Sequence, residues 1–370
     1  MTSKRVIPIS KPDVSSLEIM SVSEVLRTPY LSRGQKTKDF EEKIASYIGV
    51  KYGVSVNSGT SALHLAVRSL GLKKGDEVIT TPFSFIASSN CLLMENVRPV
   101  FVDVRDSDYN INPDLIESKI TPKTKAILPV HVFGQPCEMD TIKAIANRHS
   151  LKIIEDSCEA IGAEYNRKKA GSFGDISALA FYPNKQITTG EGGIILTDDE
   201  EIANLCRSMR CHGIEEKSGR NYFERLGYNY HLDEMSAALG LAQFSRLEKI
   251  LEKRKQVAES YREKLKGVEG ISMPEENYNT KKSWFVFTLE IKEKRDEVMN
   301  VLNESGIQCK EYFSAIHLQP LYRREFGYSE GDFPVTERLS SQNLAIPFYN
   351  SLSEKDIKYI VKKLKGALRK

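Results

Sequence analysis

The chain has 370 residues, 40% of them hydrophobic and 28% charged, with Lys+Arg 53 against Asp+Glu 50. Its net charge of +3 is too small for the long-range field that gathers nucleic acid or anionic lipid. No apolar run approaches the ~20 residues that cross a bilayer, and none follows the two early cations of "MTSKRVIPISKPD" to make a signal peptide, so a cytoplasmic protein is expected.

The length suits a large and a small domain, divided here as 1–250 and 251–370. From residue 50 onward, strands are read at 52–58, 76–83, 98–104, 124–134, 151–157, 177–183 and 192–198. Helical spacing is read at 60–72, 84–97 and 138–149. Near-continuous apolar strands alternating with helices predict a mostly parallel, seven-stranded sheet covered on both faces, with ligands at the carboxyl ends of its strands. A long helical stretch at 231–265 leads to a strand at 283–291 and a helix at 294–306 capped by Gly306. A last helix carries Ile357, Ile360, Val361, Leu364 and Leu368 on one stripe, completing a smaller α+β domain.

The six cysteines (Cys91, Cys137, Cys158, Cys206, Cys211 and Cys309) form no CxxC pair and have no histidine spacing for zinc. They read as reduced core thiols, and no metal site is expected.

Three distant stretches carry chemistry. In "VNSGTSALHLA" a strand ends at Asn57, Gly59 permits a tight turn, and Thr60 and Ser61 open a helix. Free N–H groups, the positive dipole end and two hydroxyls there make either an ordinary cap or a phosphate cradle. His64, inside that helix, reads as a packed residue. In "KIIEDSCEAIGAEY" a strand delivers Glu155 and Asp156 to its end, and strand alternation lets only one of them face a given site. In "FYPNKQITTGEGG" Pro183 ends a strand and puts Lys185 on a loop near Asp156. Alone, Lys185 is a surface charge, a phosphate clamp or the nucleophile of a covalent cofactor. Together the cradle, the acid and the lysine fit pyridoxal phosphate, with the lysine for its aldehyde, the acid for its ring nitrogen and the helix start for its phosphate.

With these motifs in this order the chain resembles the DegT/DnrJ/EryC1/StrS family of sugar aminotransferases, among the fold type I pyridoxal phosphate enzymes. The likeness runs almost end to end, through "YLSRGQKTKDFE", "NSGTSALHLA", "TPFSFIASSN", "VHVFGQPCEMD", "IIEDSCEAIGAEY", "PNKQITTGEGG", "LGYNYHLDEMSAALGLAQ" and "HLQPLY". The resemblance implies that Lys185 bonds the cofactor aldehyde and later moves a proton, and that Asp156 keeps the pyridine nitrogen protonated. Gly59, Thr60 and Ser61 would hold the phosphate, Phe85 would stack on the ring, and Glu159 would stand by the phenolic oxygen, where many relatives carry Gln. Asn229 would reach the partner subunit's phosphate, making a homodimer with shared sites. Two departures are Ala180, where relatives often have a phosphate-binding Ser, so that Ser177 or another donor must compensate, and His231, where they often have Arg. Tyr312 and His317 are candidates for substrate contact. The implied reaction moves an amino group from L-glutamate to a keto sugar, of the 3- or 4-keto-6-deoxyhexose type, on a nucleoside diphosphate. The residues leave open a cyclitol or other keto substrate, and a non-catalytic regulatory member. The retained lysine counts against the family's dehydratase branch, which has histidine there.

Overall fold

A computed structural model of the chain describes residues 5–369; the first four residues and Lys370, which the two expected domains include, lie outside the described residues. Seven strands form the central sheet: β1 (Tyr52–Val56), β2 (Glu77–Thr80), β3 (Arg98–Phe101), β4 (Thr124–Leu128), β5 (Lys152–Asp156), β6 (Ile176–Ala180) and β7 (Gly193–Thr197). Their order is β1-β7-β6-β5-β4-β2-β3, the expected mostly parallel sheet. Only β7 is reversed, running antiparallel to both β1 and β6. The loop from 181 to 192 contains turns and no helix, so the chain doubles back instead of making the helical crossover that a parallel pairing needs.

Alternate strand residues point to opposite faces, and both faces are covered. Val78, Ala126, Leu128, Ile154 and Ala178 enter a core with α3 (Gly59–Ser69), α4 (Ala87–Leu93) and α6 (Glu200–Met209). On the other face Ile79, Ile127 and Ile153 pack with α5 (Met139–Arg148). Further along that face, Leu179, Ile194 and Leu196 meet α2 (Gln35–Ile48), α7 (Glu234–Phe244) and the start of α8 (Leu247–Leu265). The amino-terminal helix α1 (Ser16–Leu26) is fixed to α7 by the Ser21 hydroxyl, which donates to the Ala238 carbonyl, and by Glu18, which accepts from Gln243.

A separate core forms around an antiparallel sheet of β8 (Ile271–Ser272), β9 (Phe287–Ile291) and β10 (Asn343–Ile346). It is closed by α9 (Arg295–Glu304) and α12 (Glu354–Ala367). Ile357, Ile360, Val361 and Leu364 are buried there as their spacing predicts, with Leu368 only partly covered. Each full burial contributes about 1.5–3 kcal/mol. The same core takes in Ile7, whose backbone bonds Gly306 and Gln308. The stretch read as one helix at 231–265 breaks at Ser245–Arg246 into α7 and α8, and the expected division at 250/251 falls inside α8. Two short helices, α10 (Pro320–Phe326) and α11 (Pro334–Gln342), complete the chain's path over the end of the large sheet.

Candidate active site

The carboxyl ends of β1, β4, β5 and β6 open onto a cavity of about 470 Å³, within the ~300–1,000 Å³ usual for small-molecule sites. Ser58, Gly59 and Thr60 line it after β1, Asp156 at the end of β5 with Glu159 beyond it, and Ala180 at the end of β6 with Asn184 and Lys185 beyond it. Phe85, Ser88, Phe285, Lys310 and Tyr312 close the remaining walls.

Strand parity decides which acid faces this space. Asp156 faces the cavity and is buried; its Oδ2 accepts from the Ser88 hydroxyl at 2.7 Å and its Oδ1 from the Cys158 N–H at 3.1 Å. Glu155 points through the opposite face, fully buried, and accepts from His131 Nε2 at 2.7 Å and from the N–H groups of Gly171, Phe173 and Gly174. Burial pushes the Glu155 carboxyl up, but His131 and these amides outweigh it and hold it below its ordinary range. The buried anion thus pins the turn between β5 and β6 while its neighbour is presented to the site.

Lys185 extends from a turn in which its N–H bonds the Tyr182 carbonyl at 2.9 Å. Its Nζ is 3.4 Å from Glu159 Oε1 and 3.9 Å from the centre of the Phe285 ring. Glu159 Oε2 accepts the Phe133 N–H at 2.9 Å. Burial raises the Glu159 carboxyl, and the Lys185 charge and the Phe133 amide offset that only in part. The adjacent Gln186 donates to the Glu159 carbonyl at 2.6 Å and to Ser283 at 2.9 Å, fixing the lysine loop from behind.

The helix start is shaped for close approach. Ser58 caps α3, accepting the Ser61 N–H at 3.0 Å, which leaves the N–H groups of Gly59 and Thr60 directed outward from the first turn. A side chain on Gly59 would place its Cβ 2.6 Å from that of Ala180, so only glycine lets the helix end sit against β6. These free amides, the Thr60 hydroxyl, an oriented carboxylate and an amine in one cavity form a donor set that fits a phosphate, a pyridine nitrogen and an aldehyde.

Several expected residues stand elsewhere. Ser61 does not line the cavity: its hydroxyl donates to Asn57 Oδ1 at 2.7 Å and serves the cap. Ser177 pairs with Glu155, so it shares the far face, and its hydroxyl donates to the Gly171 carbonyl at 2.6 Å. It therefore does not replace the hydroxyl missing at Ala180. His317 is buried on a short turn away from the cavity, bonded to Glu337 at 3.0 Å and packed edge-on against Phe333. Tyr312 does line the cavity, its hydroxyl accepting from Asn184 Nδ2 at 3.4 Å and its pKa pushed up to about 12 by burial and by Glu159. Phe85 forms part of the wall and is exposed on its outer side. Asn229 is exposed and outside the cavity, its carbonyl accepting from Asn57. His64 is packed, between Tyr230 and Glu95. His231 belongs to a separate pocket with Arg33 and Arg210, and burial and those guanidinium groups hold its pKa below the ordinary value. At neutral pH it is an uncharged substitute for the expected arginine.

Sequence reading missed Ser58, Ser88, Phe285 and Lys310. Ser88 sits in the quoted "TPFSFIASSN", three residues past Phe85 and thus one helical turn on, a spacing that would have put both on one side. Phe285 packs into the large-sheet core from a segment far beyond β7 along the chain, and Lys310 is placed by a bridge to Ala345 of β10, so nothing local announces them.

A family model described as the DegT/DnrJ/EryC1/StrS aminotransferase family matches residues 12–365. The chain belongs to this family. It is 36% identical to the GDP-perosamine synthase of Caulobacter vibrioides, over 98% of both chains. It is also 35% identical to the spore coat polysaccharide biosynthesis protein SpsC of Bacillus subtilis, over 98% of this chain and 97% of SpsC. Among solved structures, Helicobacter pylori PseC, an aminotransferase of pseudoaminic acid biosynthesis, superposes with a TM-score of 0.95 at 27% identity, over 99% of this chain and 100% of that one. The fold of this DegT-family chain is that of the pyridoxal-phosphate-dependent aminotransferases, and the chain is an enzyme of the transferase class. No helix among the described residues is long and apolar enough to cross a membrane.

Proposed function

We propose that this chain moves an amino group from L-glutamate to a keto sugar carried on a nucleoside diphosphate, of the 3- or 4-keto-6-deoxyhexose type, for a cell-surface polysaccharide. The observation that carries the reading is the meeting of Lys185, Asp156 and the α3 amino-terminus in one cavity. The names of the perosamine synthase and of SpsC support a sugar acceptor and a polysaccharide product.

When bound, pyridoxal phosphate supplies the aldehyde that carries nitrogen and the ring that takes up electrons. The amides of Gly59 and Thr60 and the Thr60 hydroxyl hold its phosphate. Asp156, oriented by Ser88, would hold a proton on the ring nitrogen through a charge-assisted hydrogen bond. Phe85, in the cavity wall, would cover the ring. Lys185 is the residue that would hold the cofactor through its aldehyde, and its free amine would move a proton to and from the substrate carbon. Tyr312 and Lys310 face the acceptor at the mouth.

The active unit in this reading is a homodimer. Leu17, Ile19, Met20, Leu26 and Tyr30 are exposed on and after α1, an apolar face suited to a second copy, and Asn229 is free to reach across. Intact Lys185 and Asp156 in one cavity favour turnover over a purely regulatory role.

Borohydride reduction of the loaded enzyme, followed by peptide mapping, tests the assignment. The label is expected on Lys185, and a label elsewhere or none refutes it. Release of 2-oxoglutarate from L-glutamate with a panel of GDP-, UDP- and dTDP-linked keto sugars then identifies the acceptor.

A further inference from the structure

An ammonium has no lone pair, so a protonated Lys185 must lose a proton before it can bond an aldehyde. The structure places one available carboxylate against it. Glu159 Oε1 is 3.4 Å from Lys185 Nζ, while Oε2 is fixed by the Phe133 N–H at 2.9 Å, so the oxygen facing the lysine is the one left free. Asp156, the other buried acid of the cavity, has each oxygen already accepting a hydrogen bond, from Ser88 and from Cys158. The Phe285 ring also contacts Nζ, 3.9 Å from ring centre to nitrogen, and helps to hold the amine beside Glu159.

We propose that Glu159 is the proton partner of Lys185. The N–H bond of the ammonium breaks with its electron pair left on Nζ, and an O–H bond forms at Oε1. The net charge of the pair is unchanged, and the proton returns when the amine is next released. The carboxyl is what makes this exchange possible; the amide of Gln, common at this position in the family, cannot take the proton.

The surroundings suit a shared proton. Burial and the nearby Asp156 favour the protonated acid of Glu159, and Lys185 with the Phe133 amide opposes them. Tyr312 and Cys158 face the same space with pKa values raised by burial and stay neutral. Lys282, buried behind the site with its amine pushed down to about 8, adds a weak positive field. Lys310 and Glu191 lie at the rim with opposite charges.

The inference rests on the proposed bond between Lys185 and pyridoxal phosphate, and one experiment separates the two. Full-length protein stripped of cofactor is mixed with pyridoxal phosphate, and capture is followed by absorbance across pH for the wild type, Glu159→Gln and Glu159→Asp. A pair holding one proton has constant reactivity between its two titrations, so the wild-type rate is flat there. The Gln variant must shed its proton to water, and its rate rises about tenfold per pH unit. Titration of the added cofactor cancels in the ratio of the two rates, which is expected to fall as pH rises. Glu159→Asp keeps the flat profile at a lower level, and it carries the test alone if the Gln variant does not fold. A pH-independent wild-type/Gln ratio, or an Asp profile that climbs with pH, overturns the proposal. Borohydride labelling of the same mixtures shows which idea failed: label at Lys185 with a constant ratio removes only the role of Glu159, and label elsewhere removes the proposed function as well.

Discussion

The hydroxyl of Ser88 donates to Oδ2 of Asp156 across 2.7 Å, so a residue on α4 sets the orientation of the acid at the end of β5. The carboxylate is buried, and among the described residues its hydrogen-bond donors are this hydroxyl and the Cys158 amide.

Ser88→Ala is therefore expected to cost about 1.5–3 kcal/mol in the function of Asp156, roughly 10- to 150-fold in kcat/KM. Asp156→Asn keeps the shape, loses the charge, and is expected to lower kcat at least as far. Steady-state kinetics on both, with bound cofactor measured by absorbance, separates lost chemistry from lost binding. Cofactor content that falls in step with the rate in Asp156→Asn would count against the assigned role.

Gly59→Ala forces a Cβ to within 2.6 Å of the Ala180 Cβ and 3.2 Å of Cys158 Sγ. Overpacking of this kind costs about 1–3 kcal/mol, and here it displaces the amides that take the phosphate. The dissociation constant for pyridoxal phosphate is expected to rise roughly tenfold or more. Ala180→Gly in the same chain relieves the closest contact and is expected to recover part of the loss, as read by equilibrium titration.

Glu155 links stability to pH. Its folded pKa is held below the ordinary value by His131 and the amides of the 171–174 turn despite the opposing cost of burial. Its stabilisation is thus complete above the ~4.3 of an unfolded glutamate and is lost as pH falls through the lower folded value. The wild-type Tm is expected to drop over that acid window, and the Tm of Glu155→Gln to drop less steeply from a lower start. Glu155→Ala leaves the Phe173 and Gly174 N–H groups without their acceptor, at about 1–3 kcal/mol each. Thermal melts by circular dichroism across pH measure both effects.

His317 and Tyr312 separate structure from substrate contact. His317→Ala removes a buried ring from Phe333 and Glu337 and is expected to lower Tm while leaving the acceptor KM unchanged. Tyr312→Phe, in the cavity wall, is expected to raise that KM with little change in Tm. Reversal of this pattern in kinetics and melts would exchange their roles.

How far the site could be read from sequence depends on the distance over which its geometry is set. Strand periodicity located the ends of β1, β5 and β6, and therefore the meeting of Gly59, Asp156 and Lys185. The same periodicity applied to β6 would have excluded Ser177, which lies one residue from Ala178 and opposite Glu155. His317 misled because a histidine in a polar motif reads the same on a buried 3-10 turn as at a binding surface. Phe285 and Lys310 were beyond local reading, since long-range packing of distant segments brings them to the cavity. The long helical pattern of 231–265 concealed the break at Ser245–Arg246, where both sides keep an apolar stripe.

The helix α8 joins the two cores physically: Leu247, Ile250 and Leu251 belong to one, and Val257, Ala258, Tyr261 and Leu265 to the other. Neither half can melt without stripping apolar cover from its neighbour. Thermal denaturation should accordingly show one cooperative transition, and severing the chain at 250/251 would leave two fragments with ragged greasy edges in place of two independent folding units.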